Sequence, residues 1–305
     1  MRYLDPKADL TFKKIFGEHK DLLISLLNAL LPLADDEQIE SVEYLSPELV
    51  PETYVGKNSI VDVRCRDVKG RQFIVEMQNA YQTFFKDRSL YYATFPIREQ
   101  AEKGDVWDYQ LKHVYVVALL NYEMSDPAFS TESINHDIGL LDKQTHRVFN
   151  DKLTFKYVEI SKFNKSLEEL ETNYDKWLYV LRNLSRLDSQ PDYLRNEIFN
   201  RLFSEAEIAH FSKVELREYE DSLKAYRDIK NSLDTAKAEG LAEGFGKGRV
   251  EGHAEGRAEG LVEGRAEGRA ETLVEVAKNL LSIGTPIESI MKATGMTEDE
   301  IKDLA

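Results

Sequence analysis

Ser59-Ile60-Val61-Asp62-Val63-Arg64-Cys65 and Phe73-Ile74-Val75-Glu76-Met77-Gln78, joined through Asp67-Val68-Lys69-Gly70-Arg71, decide how this chain reads. Each flank is an apolar strand that carries an acid where a hydrophobe is expected. A carboxylate is costly to bury without a partner or a metal. Side chains alternate along a strand, so Ile60, Asp62 and Arg64 are expected on one face, and Val61, Val63 and Cys65 on the other. On the second strand Ile74, Glu76 and Gln78 share a face, against Phe73, Val75 and Met77. A three-residue loop, Val68-Lys69-Gly70, with Gly70 left-handed, is a common hairpin closure. It pairs Asp67 with Arg71 and hence Asp62 with Glu76, whose Cβ atoms would lie roughly 4.5–5.5 Å apart. A two-residue Lys69-Gly70 turn would instead oppose Asp62 to Met77 and separate the acids.

Two carboxylates and a backbone carbonyl suit a hard cation, Mg²⁺ or Mn²⁺, that keeps several waters. Such an ion polarises a phosphate and lowers the pKa of an attacking water. Gln78 lies on the same face as Glu76 and can only hydrogen-bond. The plainer alternative is that Asp62 and Glu76 make structural ion pairs with Arg64 or Arg88.

The chain has 305 residues, 42% of them hydrophobic, enough for a sizeable core and more than one unit. Its one cysteine, Cys65, excludes an internal disulfide and fits a reducing, cytoplasmic setting. The N-terminus shows no signal pattern, and no apolar run reaches the ~18 residues of a membrane span. A net charge of −15 argues against a general nucleic-acid binder. DNA binding would then rely on a local basic surface, for which Lys13, Lys14, Lys86, Arg88 and Arg98 are the candidates. The six histidines show no zinc-ligand spacing.

Residues 5–31 read as helix, stopped by Pro32, with leucines 22, 23, 26, 27, 30 and 31 at helical spacing. A strand is expected near Val42–Val50, a helix over 80–103 that Pro96 kinks or divides, and a central strand at Val114–Leu120. Two more β-type runs lie near 145–150 and 153–160. The order gives a mixed α/β domain over 1–160, followed by a charged helical region over 161–235. In 236–271, glycine recurs at every fourth residue from Gly240 to Gly268, mostly as Glu-Gly-Arg-Ala. A period of four exceeds 3.6, so each stripe advances about 40° per repeat around a helix. Glycine costs about 1 kcal/mol per residue against alanine in a helix, so the segment reads either as a half-helical spacer or as a helix that pairs with another copy. The last unit, 272–305, holds short helices, one capped by Thr285 and one by a Thr297/Glu300 capping box. The acidic last helix favours a packing unit over a DNA-reading helix-turn-helix.

Several motifs together resemble one family: Asp9-Leu10-Thr11-Phe12-Lys13-Lys14-Ile15-Phe16-Gly17, Val61-Asp62-Val63, Ile74-Val75-Glu76-Met77-Gln78, Arg88-Ser89-Leu90-Tyr91-Tyr92 and the Val114–Leu120 strand. They resemble the PD-(D/E)XK nuclease superfamily, and within it the Rpn-type recombination-promoting nucleases, also labelled putative transposases. The Gly repeat and the segment Gly284-Thr285-Pro286-Ile287-Glu288-Ser289-Ile290 resemble that family's tail. The resemblance implies a restriction-endonuclease-like core and a Mg²⁺-dependent DNA endonuclease, with Asp62, Glu76 and Gln78 in the Asp…Glu-x-Lys positions. It implies metal ligation by Asp62, Glu76 and the Met77 carbonyl, with Asp9, then Glu18, as an added acid from the first helix and Arg88 and Tyr92 facing the site. Gln78 departs from the usual lysine. A catalytically inert, homo-oligomeric assembly protein is the competing reading.

Overall fold

The apolar spacing of the first thirty residues folds as two helices rather than one: α1 (Asp9–Glu18) and α2 (Lys20–Leu30). His19, with φ −115° and ψ 97°, leaves the helical region and lets α2 turn back on α1. Leu31 is extended, as the residue before Pro32 must be. In the computed structural model, residues 2–49, 59–101 and 108–304 are described. Val50 and residues 102–103, which the sequence assigns to a strand and a helix, lie outside them.

The strands are β1 (Val42–Tyr44), β2 (Glu48–Leu49), β3 (Ser59–Ile60), β4 (Val63–Asp67) and β5 (Gln72–Gln78); α3 (Phe85–Arg98) follows, then β6 (Val114–Leu120), β7 (Asn135–Leu141) and β8 (Val148–Glu159). Six of the strands form one mixed sheet in the order β1-β4-β5-β6-β8-β7, and β2 and β3 form a separate pair. Strand β6 is apolar and buried along its length because it lies inside this sheet. Helix α3 runs through Pro96 to Arg98 and is not divided by it. The two β-type runs near 145–160 are one strand, β8. Its antiparallel partner β7 reads Asn-His-Asp-Ile-Gly-Leu-Leu and lacks an apolar alternation that would announce it.

The β4–β5 hairpin has the expected register. Arg66 pairs with Gln72, Cys65 with Phe73, Arg64 with Ile74 and Val63 with Val75. The Asp67 amide donates to the Arg71 carbonyl at 3.0 Å, and the Gly70 amide to the Asp67 carbonyl at 3.0 Å. Gly70 has φ +81°, and a Cβ there would also lie 3.3 Å from Lys112 Cγ, so the turn requires glycine. Carrying the register one pair further puts Asp62 opposite Glu76.

The expected continuous strand over 59–65 is not observed. It breaks at Val61-Asp62: Ser59–Ile60 pairs with β2, and the Val61 amide donates to the Pro47 carbonyl at 3.0 Å. The break also overturns the expected side-chain alternation. Val61 packs with Ile74 and Tyr92, whereas Val63 and Cys65 pack against the opposite cluster. Ile60, 63% exposed, joins neither.

One sheet face, with Phe73, Val75, Val117 and Leu119, packs on α1 and α2. Helices α4 (Asn173–Asn183) and α5 (Glu197–Glu205) share this core through Trp177, Leu181, Phe199 and Leu202. The other face, with Ile74 and Val116, is covered by Tyr92, Ala93 and Phe95 of α3. Met1–Asn231 and Ser232–Ala305 form two compact units.

Helix α6 (Lys213–Ser282) carries the glycine repeat in helical conformation throughout. Its glycines border open space. In the second unit α7 (Ile287–Thr294) and α8 (Glu298–Lys302) bury Ile290 and Ile301 with Ala277. The Thr297/Glu300 capping box forms. The cap expected of Thr285 does not: Pro286 occupies the N-cap of α7, without a side-chain bond.

Candidate active site

Glu76 sits within β5 and is 5% exposed. Asp62 occupies the break between β3 and β4, and that break sets its bonding. The Met77 amide, which would meet a strand carbonyl in an unbroken ladder, donates to Asp62 Oδ2 at 2.7 Å. The Asp62 amide in turn donates to Glu76 Oε1 at 3.2 Å. A strand residue directs its N–H and C=O to the same edge, so the Met77 carbonyl also faces the Asp62 side.

The other oxygen of Glu76, Oε2, accepts from Gln78 Nε2 at 2.9 Å. Gln78 Oε1 accepts from the Arg88 guanidinium at 2.6 Å, and Arg88 also donates to Gln82 Oε1. Arg88 and Tyr92 reach this point because they lie one turn apart on α3, and the guanidinium sits 5.8 Å from the Tyr92 ring centre. Among the described residues, structural ion pairs with Arg64 or Arg88, the plainer alternative, are not found at these acids; Asp62 instead has Lys13 at 3.8 Å. Arg64 pairs with Glu99 and Gln72, Arg88 bonds to amides, and among the described residues no ion pair reaches Glu76.

From α1, Asp9 and Lys13 enter the same cleft. Lys13 Nζ is 2.7 Å from Asp9 Oδ1 and 3.8 Å from Asp62 Oδ1. The cleft, of about 570 Å³, is walled on one side by Ser222, Leu223, Tyr226 and Ile229 of α6. A family model for PD-(D/E)XK nuclease family transposases matches residues 6–236, which includes every residue of this cleft but Asp5. The chain belongs to that family. Neither a curated protein nor a solved structure matches it.

Of the residues that the nuclease-family resemblance singles out, Asp9, Asp62, Glu76, Met77, Gln78, Arg88 and Tyr92 all line this one cleft, and Glu18 does not. Nine residues beyond Asp9, Glu18 lies about 13 Å further along the helix axis. Of the five basic candidates, Lys13 and Arg88 line the cleft. Lys14 instead pairs with Glu215 at 2.5 Å, and Lys86 pairs with Asp126. The α6 wall was not anticipated. Its trace in the sequence is the run Leu216, Tyr219, Leu223 at helical spacing, which packs α6 on Leu4 and Ala8.

Electrostatics set this cleft apart. Burial, and then the charge of Asp62, push the Glu76 carboxyl well above the usual carboxylate range. Burial likewise raises Asp62, and the Met77 N–H and Lys13 offset only part of it. Burial also raises the Tyr92 phenol, with Glu76 adding to it. Nuclease-family sites typically take a divalent metal, and the donors present here fit one. They are all oxygen: two facing carboxylates and a main-chain carbonyl, in a pocket short of positive charge. Among the described residues no group of three His, Cys, Asp or Glu side chains is gathered anywhere. A cation here would therefore rest on two carboxylates and the Met77 carbonyl, and fill its shell with water and substrate oxygens.

Proposed function

We propose that the cleft hydrolyses phosphodiester bonds of DNA as a divalent-metal-dependent endonuclease, with Mg²⁺ as the cofactor and Mn²⁺ as a substitute. The observation that carries this reading is the pair Asp62–Glu76. Two opposed carboxylates, Glu76 buried and Asp62 partly buried, are held by neutral N–H donors alone, apart from the distant ammonium of Lys13. Such an arrangement destabilises the empty fold and suits a bound divalent cation.

Asp62, Glu76 and the Met77 carbonyl would hold the metal. When bound, it would polarise the scissile phosphate and lower the pKa of a water. The chain's own residues do the rest. The Met77 N–H fixes the carboxylate plane of Asp62. Gln78 turns its amide N–H toward Glu76 and keeps that carboxylate aimed across the hairpin. Arg88 holds the other end of the Gln78 amide, and so fixes which way it faces. Asp9 stations the Lys13 ammonium at the mouth. The sequence shows no base-reading motif, so cleavage is expected to be weakly sequence-specific and strongly salt-sensitive.

Supercoiled plasmid with Mg²⁺ tests the reading. Nicking that Asp62→Ala and Glu76→Ala abolish supports it. Equal nicking by the purified protein and by Glu76→Ala would mean a contaminant. The inert-assembly alternative predicts no Mn²⁺ affinity at all.

The tail supports a homo-oligomer. Helix α6 exposes Leu241, Phe245, Val250, Leu261 and Val262 beside its open glycine stripe, and glycine lets a second helix approach closely. Truncation after residue 235 is expected to lower the oligomeric mass in light scattering. An unchanged mass would remove the tail from this role.

A further inference from the structure

The cation that Gln78 fails to provide on β5 is available from α1. We propose that Lys13 is a catalytic residue of the cleft, contacting the scissile phosphate of the DNA through its ammonium group. This rests on the nuclease reading above.

Gln78 is neutral and can offer a phosphate at most one N–H, never a charge. Its amide N–H is given to Glu76 and its carbonyl to Arg88. Arg88 is held between two amide oxygens, with one terminal nitrogen on Gln78 and the other on Gln82, and its Nε–H is buried. Lys13 is held differently. Its ammonium lies 3.8 Å from Asp62 Oδ1 and is tied to Asp9 at 2.7 Å. The Lys13 side chain is 40% exposed and that of Asp9 61%. An exposed pair of this kind is worth about 1 kcal/mol or less, and lysine carries its charge on a flexible stem. Moving the ammonium from Asp9 to a phosphate oxygen therefore costs little.

The neighbouring lysine shows what a purely structural role looks like on the same helix. Lys14, about 100° further round α1, is 2.5 Å from Glu215 and 4.1 Å from the centre of the Phe211 ring, and fastens α6 to α1. The pair Lys13-Lys14 is thus split, one lysine fixed on a helix and the other left at the cleft mouth.

In the reaction the water oxygen bonds to phosphorus, the ester P–O bond breaks, the water's proton passes to solvent, and the departing oxygen takes a proton from solvent. Lys13 stays protonated and transfers no proton. It donates a hydrogen bond to a non-bridging phosphate oxygen, where negative charge grows in the transition state. Asp9 acts as a positioning residue.

The test compares variants of the full chain in Mg²⁺-dependent plasmid nicking and in Mn²⁺ calorimetry. Lys13→Met is expected to cut the nicking rate by about 10²-fold, the usual loss for one transition-state donor, with Mn²⁺ affinity retained. Lys13→Arg is expected to regain part of the rate. Gln78→Lys in the Lys13→Met background, which returns a lysine to β5, should regain about tenfold. Lys14→Met should leave the rate within about threefold, as befits a residue outside the cleft. Activity of Lys13→Met within about twofold of the parent, or a parallel loss of Mn²⁺ binding, overturns the proposal. So does failure of both the arginine and the relocated lysine to regain rate. If Glu76→Ala nicks as well as the parent, the nuclease reading itself fails, an outcome separate from any result at Lys13.

Discussion

Glu76 and Glu159 are both buried glutamates near the C-terminal ends of strands in one sheet, and they are held in opposite ways. Parallel pairing sets Gln78, Leu120 and Glu159 in one row across β5, β6 and β8. Glu159, fully buried, accepts from Lys162 Nζ at 2.9 Å and from the Met124 amide at 2.7 Å, with His136 Nε2 also at 2.7 Å. A carboxylate only accepts, so that ring nitrogen carries the hydrogen. Lys162 continues to the carbonyls of Ser130 and Ser133, which ties the segment before β7 to the sheet. Glu76, by contrast, has two neutral donors and a second carboxylate facing it. One acid is neutralised and fastens a loop; the other is kept short of positive charge. Burial alone does not mark a functional carboxylate. What its partners are does.

Substituting one acid at a time separates the two roles. The largest effect is expected on turnover: Glu76→Gln should reduce Mg²⁺-dependent nicking by at least ~10³-fold, the scale for a residue acting within a catalytic unit. Glu159→Gln should leave nicking measurable at low temperature. Stability should move the other way. Glu159→Ala leaves the largely covered Lys162 without its counter-charge and should cost about 3 kcal/mol in urea denaturation. Glu76→Gln removes a buried repulsion and should gain about 1–2 kcal/mol, read as a melting temperature a few degrees higher. Equal losses in both variants would erase the distinction.

A smaller effect concerns pH. The Asp62 and Glu76 carboxyls are raised in the folded state, chiefly by burial. Between the ordinary carboxylate range and those raised values the folded state binds more protons than the unfolded one. The metal-free protein therefore loses stability as pH rises through that window. Metal affinity should rise over the same window, because ligation needs both carboxyls ionised. Glu76→Gln should flatten the stability slope in urea titrations repeated from pH 5 to pH 8. An unchanged slope would assign it to other groups.

Much of this site is legible in the sequence. The alternation of β5 puts Glu76 and Gln78 on one face, and Gly70 fixes the turn that brings Asp62 opposite. The break at Val61-Asp62 was not legible, because nothing in an apolar Ile-Val-Asp-Val run shows that Pro47 will take the Val61 amide. Strand β7 was hidden for a similar reason: it lies at the sheet's edge, where polar residues are tolerated and no alternation is imposed. Nor did the sequence separate Glu76 from Glu159, since Tyr157-Val158-Glu159-Ile160 is as apolar a setting as Ile74-Val75-Glu76-Met77. What decides between them, Lys162 and His136 at Glu159 against Gln78 and the Asp62 amide at Glu76, is set by the fold.

Whether Asp62 and Glu76 hold a divalent cation is decided by calorimetric titration of Mn²⁺ into the full chain, its Asp62→Asn/Glu76→Gln variant and its Glu159→Gln variant. Mn²⁺ is expected to bind the parent and Glu159→Gln, and not the double variant. Equal binding by the parent and the double variant, or no binding by the parent at millimolar Mn²⁺, would contradict it.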